Sequence, residues 1–123
     1  MLGDRASRRI LVVEDEAMIA LDLETALRRS GCEVVGPVST VAAAERALAE
    51  QCPDAAVLDI EVADGKVFPI ADALADRGVP FVFLTGYEPD TVPERHARRP
   101  IATKPCRVET LLRLLIRVAQ APS

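Results

Sequence analysis

Short apolar runs alternate with longer segments of helical periodicity along the chain, and this alternation limits the folds that the sequence can adopt. The run Ile10 to Val13 is too short for a helix and rich in β-branched residues, which is typical of a buried strand. A second run, Cys32 to Val35, should be closed by Gly36-Pro37. Three further runs have the same character, at residues 54–59, 80–85 and 100–103. The sequence therefore predicts five strands.

The segments between these strands carry apolar residues at helical spacing. Ile19, Leu23 and Leu27 recur every four residues and predict a first helix. A second helix should begin near Ser39 or Thr40, because either hydroxyl can cap it. Inward-facing positions of the later helices are Val41, Ala44 and Leu48; Val67, Ile70 or Ala71, and Leu74; and Val108, Leu111, Leu112, Leu115 and Ala119.

Strands that alternate with helices favour a parallel sheet covered on both faces, because crossovers between parallel strands are right-handed and pack back onto the sheet. Continuously apolar strands agree with burial on both sides. Five strands are too few to close an eight-stranded barrel. We therefore predict an α/β fold, an open, doubly wound five-stranded parallel sheet of the flavodoxin-like type. Its expected strand order is 2-1-3-4-5, with strands one and three at the ligand-binding switch point.

Length and charge narrow the class of protein further. The 123 residues, half of them hydrophobic, suit one domain over residues 1–123, and we expect residues 1–7 and 121–123 to be disordered tails. The net charge of −4 and a pI near 5.0 argue against direct nucleic-acid binding. No apolar run reaches the roughly 18 residues that cross a bilayer, and the N-terminus lacks a secretory apolar segment. A cytoplasmic location without membrane contact is expected.

Cysteine and histidine give little sign of chemistry. Cys32, Cys52 and Cys106 are an odd number at wide spacing, so we expect buried or half-buried thiols rather than disulfides or a zinc site. His96 lies among arginines without an acidic or cysteine partner at ligand spacing. It is expected to be a solvated surface residue.

Polar side chains follow four of the predicted strands where each strand ends. They are Glu14 and Asp15 after the first strand, Asp59 after the third, Thr85 after the fourth and Lys104 after the fifth. Carboxylates on neighbouring strands lie about 5 Å apart and repel by roughly 3 kcal/mol at an effective dielectric constant near 20. A hard divalent cation relieves this repulsion, and Mg²⁺ suits a site with few carboxylates. The sequence therefore predicts a magnesium site.

Asp59 is the candidate reactive group, because a carboxylate beside a metal can accept a phosphoryl group. Thr85 and Lys104 could stabilise the phosphoryl oxygens, and Gly86 would let a backbone N–H approach them. Pro105 follows Lys104 and either forms a cis bond that aims the lysine inward or starts the last helix.

These motifs together resemble the CheY-like receiver domain of two-component response regulators over about residues 8–120. "VVED" matches the acidic pair of that family, "AVLDI" the phosphoacceptor strand, "FLTG" the threonine strand and "TKP" the lysine-proline signature. The resemblance implies that Asp15 and Asp59 ligate Mg²⁺ directly, Glu14 through water and Glu61 through its backbone carbonyl. It also implies that Thr85 and Lys104 bind the phosphoryl oxygens.

The chain departs from the usual receiver pattern after the fourth strand. Ile101 stands where the family usually has an aromatic switch residue, whereas Tyr87 follows Thr85-Gly86, as in the receiver subgroup called FAT GUY. Three prolines in residues 87–100 leave room for only a short helix, and we expect this segment to reorder on phosphorylation. Glu61 and Tyr87 occupy positions that flank the path of hydrolytic water in the family. We expect their bulk to set the phosphoryl lifetime, although Tyr87 packing on its loop is an equal alternative.

The leading interpretation is a single-domain phosphoacceptor regulator, phosphorylated on Asp59 by a histidine kinase or histidine phosphotransfer protein and acting on a downstream protein. Its chemistry would be self-directed, so it is not an enzyme in the usual sense. The alternatives are an aspartyl-nucleophile phosphohydrolase, with Glu61 as its second acid, and a degenerate receiver used only for docking. A second apolar stripe at Leu114 and Val118 marks either extra core or a partner surface, such as a homodimer through the last helix.

Overall fold

The computed structural model describes residues 8–86 and 92–120. Its strands are β1 (Arg9–Val13), β2 (Glu33–Val38), β3 (Ala55–Asp59), β4 (Glu61–Val62), β5 (Gly65–Lys66), β6 (Phe81–Thr85) and β7 (Ile101–Thr103). Its α-helices are α1 (Ala17–Arg29), α2 (Val41–Glu50), α3 (Phe68–Asp76) and α4 (Val108–Gln120), and a 3₁₀ helix spans Glu94–His96. The tails at 1–7 and 121–123 lie outside the described residues. Within the described residues, no helix is long and apolar enough to cross a membrane.

Five strands form one parallel sheet in the order β2-β1-β3-β6-β7. These are the five predicted strands in chain order, so the predicted doubly wound sheet of order 2-1-3-4-5 is confirmed. Register places Val13 beside Leu58 and Asp59 beside Leu84. The carboxyl ends of the central strands therefore meet at one edge of the sheet.

The two faces of the sheet carry separate apolar cores, because alternate residues of a strand point to opposite faces. Leu11 and Val13 of β1 pack into one core with buried residues of α2 and α3, which are Ala44, Leu48, Ile70, Ala71 and Leu74. Ile10 and Val12 pack into the other core with buried residues of α1 and α4, which are Leu23, Leu27, Leu111 and Leu115. In α4 the second stripe, Leu114 and Val118, is half-buried against this core.

Helix α2 begins where a hydroxyl and a carboxylate satisfy its first backbone N–H groups. Thr40 Oγ1 accepts a hydrogen bond of 2.9 Å from the Ala43 N–H, as the capping prediction requires. Asp64 adds hydrogen bonds from the N–H groups of Val41 and Ala42, at 2.7 and 3.2 Å. The two Asp64 bonds hold the start of α2 against the loop between β4 and β5 and lower the pKa of Asp64.

Two elements differ from the sequence prediction. Strand β2 continues through Gly36-Pro37 to Val38 rather than ending there, with a cis Gly36-Pro37 bond and an irregular register. Gly36 has φ +97°, and a Cβ there would lie 2.7 Å from the backbone nitrogen of Val38, so only glycine fits. After β3 the structure has a β4–β5 hairpin that the sequence did not predict, with Glu61 opposite Lys66.

The prediction that His96 is a solvated surface residue is wrong. Its side chain is 3% exposed and lies among the three phenylalanines of the chain, with ring centroids 5.7 to 6.4 Å away. Nε2 of His96 is 2.7 Å from Oδ1 of Asp72 on α3. The polar partner of the buried imidazole lies 24 residues earlier in the chain. Local spacing cannot reveal such a partner, so the sequence did not predict the burial.

The cysteine prediction holds for two of three residues. Cys32 is buried and Cys106 is half-buried, but Cys52 is exposed, and all three are free thiols. Cys52 precedes Pro53 after α2, outside both cores. Burial raises the pKa of the Cys32 thiol.

Candidate functional site

The candidate site lies at the carboxyl edge of the sheet, where β1, β3, β6 and β7 end. The open cleft there has a volume of about 600 Å³. Its lining includes Asp15, Glu16, Asp59, Glu61, Gly86 and Lys104. The strand topology alone explains this convergence, because the ends of adjacent parallel strands lie side by side.

Three carboxylates meet in this cleft. Glu14, Asp15 and Asp59 each offer an oxygen such that all of these atoms lie within 4.8 Å of one another. Glu14 and Asp59 are buried, with exposures of 2% and 4%, whereas Asp15 is open to solvent. The Glu14 N–H donates to the Val38 carbonyl over 2.9 Å, which fixes the acidic pair against β2.

Lys104 reaches into the acidic cluster from the end of β7. Its Nζ lies 3.0 Å from Asp59 Oδ2 and 3.1 Å from Glu14 Oε1, and it also contacts Glu16 Oε1. Its backbone N–H donates to the Thr85 carbonyl over 2.7 Å, so β6 anchors the backbone directly after β7. The Lys104-Pro105 bond is cis, which is the first of the two alternatives predicted for Pro105.

The ionisation of the cleft reflects crowded negative charge. Burial, together with the neighbouring Asp59, raises the pKa of Glu14 from 4.5 to about 8, against the lowering influence of the Glu16 N–H and Lys104. For Lys104, desolvation lowers the pKa, but hydrogen bonds to Glu16, Asp59 and Glu14 outweigh it and raise the pKa above its usual 10.5. Lys104 is therefore held charged, and the surrounding carboxylates compete for its ammonium group.

The donor set fits a hard divalent cation such as Mg²⁺. Three carboxylates within 4.8 Å supply the oxygen ligands that such a cation prefers. Glu14 Oε1 is buried and forms no hydrogen bond with any described part of the chain, although Lys104 Nζ is 3.1 Å away. A buried carboxylate oxygen without a hydrogen bond is costly unless a cation or water meets it. The residues present are thus compatible with a magnesium ion.

The remaining predicted residues differ in whether they line the cleft. Thr85 ends β6, pairs with Thr103 and is fully buried, and Gly86 lines the cleft directly after it. Glu61 lines the cleft too, but its carboxylate forms an ion pair of 2.9 Å with Lys66. Tyr87 lies outside the described residues. Ile101 is half-buried and packs against the core under α2 and α3.

Two charged residues of the site were missed by sequence reasoning. Glu16 follows the predicted acidic pair and was assigned no role, yet it contacts Lys104 near the other end of the chain. Lys66 pairs with Glu61 through a two-residue hairpin that carries no periodic signal. The first contact depends on tertiary placement and the second on the short hairpin, and for both the sequence offers only opposite charge.

An acidic pair, an aspartate, a threonine and a lysine on successive strand ends of this sheet define the receiver class of fold and site. A solved structure, that of SdrG from Sphingomonas melonis Fr1, is 40% identical and superposes with a TM-score of 0.75 over 89% of this chain and 97% of that one. The chain therefore belongs to the response regulator receiver domain family of two-component signalling proteins. No family model matches it.

Two curated proteins are also similar to this chain. PhyR, the phyllosphere-induced regulator of Methylorubrum extorquens, is 36% identical over 81 residues, which are 63% of this chain and 30% of that protein. The transcriptional regulatory protein PdtaR of Mycobacterium tuberculosis is 32% identical over 89 residues, 72% of this chain and 43% of PdtaR. The chain thus spans less than half the length of these two relatives.

Proposed function

We propose that this receiver is a phosphorylation switch whose acceptor is Asp59. The observation that carries the proposal is the position of the Asp59 carboxylate, 3.0 Å from Lys104 Nζ and within 4.8 Å of the Glu14 and Asp15 oxygens. A phosphoryl group added there would face a fixed ammonium and a cluster of metal-ligand oxygens. Transfer of a phosphoryl group depends on that kind of positioning and charge neutralisation.

Each residue has a distinct part in the proposed reaction. An Asp59 carboxylate oxygen forms the new bond to phosphorus while the bond from phosphorus to the donor breaks and the donor keeps the electron pair. Asp15 and Asp59 would hold Mg²⁺ directly, Glu14 through water and Glu61 through its backbone carbonyl. Bound Mg²⁺ would neutralise charge on the phosphoryl oxygens. Lys104 and the Thr85 hydroxyl would bind those oxygens. The backbone N–H of Gly86 would also approach them, because glycine has no side chain in the way.

Proposed partners follow from this chemistry. The donor would be a histidine kinase or a histidine phosphotransfer protein, and the output would be contact with a downstream protein. We assign the chain to the FAT GUY subgroup on the run Phe83 to Tyr87. The proposal of a homodimer through α4 is based on the half-buried Leu114 and Val118.

A phosphohydrolase is the weaker alternative. It would need Glu61 free to protonate a leaving group, but the Glu61 carboxylate is engaged by Lys66 at 2.9 Å. Turnover would therefore be limited to the chain's own aspartyl phosphate, so we do not class it as an enzyme. The intact Asp59 and Lys104 pair also counts against a degenerate docking module.

Incubation with acetyl phosphate and Mg²⁺, followed by intact mass measurement, tests the proposal. The native chain should gain the mass of one phosphoryl group, and EDTA should prevent the gain. Asp59→Asn should stay unmodified, whereas Asp54→Asn, at the opposite end of β3, should behave as the native chain does. No gain of mass in the native chain under these conditions would reject the proposal.

A further inference from the structure

Glu16 makes a contact that the metal site and the helix it precedes do not require. Its Oε1 contacts Lys104 Nζ, while its backbone N–H donates to Glu14 Oε2 over 3.0 Å. Glu16 is the N-cap residue of α1, yet its side chain forms no capping hydrogen bond. The metal-ligand cluster consists of Glu14, Asp15 and Asp59 and does not include it. The carboxylate of Glu16 therefore serves mainly as a partner of Lys104.

The contact matters because the ammonium of Lys104 has only three N–H donors. Three carboxylates already surround Nζ, namely Glu14, Glu16 and Asp59. A phosphoryl oxygen that binds Lys104 must replace one of them. Glu14 and Asp59 are buried and fixed at strand ends, whereas the Glu16 side chain is 57% exposed. Glu16 is the acid that can leave at the lowest cost, since water can solvate its freed carboxylate.

We infer that Glu16 is an internal competitor of the phosphoryl group for Lys104, a positioning residue that lowers the rate of phosphorylation and is displaced when Asp59 is modified. This inference rests on the proposed acceptor role of Asp59. Partly exposed ion pairs are weak, so release of the contact should change rates and affinities about two- to fivefold. Glu16 would thus tune the switch without taking part in the chemistry.

Three variants separate the contact from simple charge repulsion. Glu16→Gln removes the charge and the ion pair together. Glu16→Asp keeps the charge but shortens the side chain, and aspartate at an N-cap turns toward the helix N–H groups, away from Lys104. Asp22→Asn removes an equal charge from the exposed face of the same helix, more than a turn from the cleft. Glu16 forms no cap, and both Glu16 and Asp22 are exposed, so all three variants should fold.

Two measurements apply to these variants. The first is titration with beryllofluoride in saturating Mg²⁺, together with the rate of modification by acetyl phosphate. The second needs neither metal nor phosphodonor: the ammonium ¹H–¹⁵N signals of a chain labelled at lysine. The sequence has only two lysines, so Lys104 gives one signal and Lys66 gives an internal reference.

The inference predicts that Glu16→Gln and Glu16→Asp both lower the half-saturating beryllofluoride concentration about two- to fivefold. Both should raise the rate of modification by acetyl phosphate by the same factor. Both should also shift the Lys104 signal and leave the Lys66 signal unchanged. Asp22→Asn should match the native chain. A gain in Glu16→Gln alone would reduce the effect to general repulsion and overturn the inference, as would an unmoved Lys104 signal. If the native chain accepts no phosphoryl group while the Lys104 signal still shifts, the proposed function fails separately.

Discussion

The Nε2 atom of His96 lies 2.7 Å from Oδ1 of Asp72, and this bond joins the 3₁₀ helix to α3. Arg95 binds the same carboxylate with both Nε and Nη2, at 2.7 and 3.1 Å. Asp72 therefore anchors the segment that follows residues 87–91 to the body of the domain. Arg95, in turn, holds the pKa of Asp72 below its usual range, and His96 adds to this effect.

Replacement of Asp72 by alanine should destabilise the fold. His96 would then be buried with Nε2 unpaired, in addition to Nδ1, which already forms no hydrogen bond with the residues described. We expect the free energy of unfolding to fall by about 1–3 kcal/mol, the usual cost of a buried unpaired polar group. Urea unfolding measures it, with Asp76→Asn on the exposed side of α3 as the control. Equal midpoints for Asp72→Ala and native protein would contradict the anchor.

Hydrogen exchange should locate the segment that responds to the switch. If the segment after Gly86 reorders, beryllofluoride with Mg²⁺ should change amide protection across residues 87–99 and leave β1 and β3 unchanged. In Asp72→Ala the protection of residues 92–99 should already be low before the ligand is added, because their anchor is gone. Protection that is the same in both states throughout residues 87–99 would reject the proposed reordering.

Mg²⁺ should stabilise the folded chain through Asp15. Binding to the folded state alone raises the free energy of unfolding by about 2.7 kcal/mol at a hundredfold excess over Kd. Asp15→Asn should lose most of this increment yet unfold like the native chain in EDTA, because Asp15 is exposed. Asp22→Asn should keep the full increment. A native chain that Mg²⁺ does not stabilise in denaturant titrations would contradict the site.

Without a divalent cation, Glu14 should make stability depend on pH. Its pKa is raised from 4.5 to about 8 in the folded state by burial and by Asp59. The folded chain then binds more protons than the unfolded chain between these values, so stability falls as pH rises from about 5 to 8. Glu14→Gln should flatten this part of the profile, measured by urea unfolding in EDTA. Profiles of equal slope for both proteins would show that Glu14 is not held protonated.

Much of the fold and of the site geometry could be predicted because both depend on local patterns and topology. Apolar runs located the five strands, and parallel strand ends bring Glu14, Asp59 and Lys104 together at one edge. His96 was mistaken for a surface residue because its partners, Asp72 and the phenylalanine rings, come from α3 and β6. Hairpin β4–β5 escaped prediction because strands of two residues have no periodicity.

The exposed charges of the cleft were the least predictable part. Glu16 and Lys104 are 88 residues apart in the sequence, and their contact depends on the start of α1 and the end of β7 lying at the same edge. A run of three acids indicates only that some cation is needed nearby. The placement of side chains decides which acid contacts the lysine and which acids remain for a metal. The order of residues does not.

Localisation of the phosphoryl group tests the central claim most directly. After reaction with acetyl phosphate and Mg²⁺, borohydride reduces an aspartyl phosphate to homoserine, and tandem mass spectrometry of peptides identifies the reduced residue. The account predicts homoserine at position 59 in the native chain, and none there without Mg²⁺. Modification at another aspartate, with Asp59 unchanged, would contradict it.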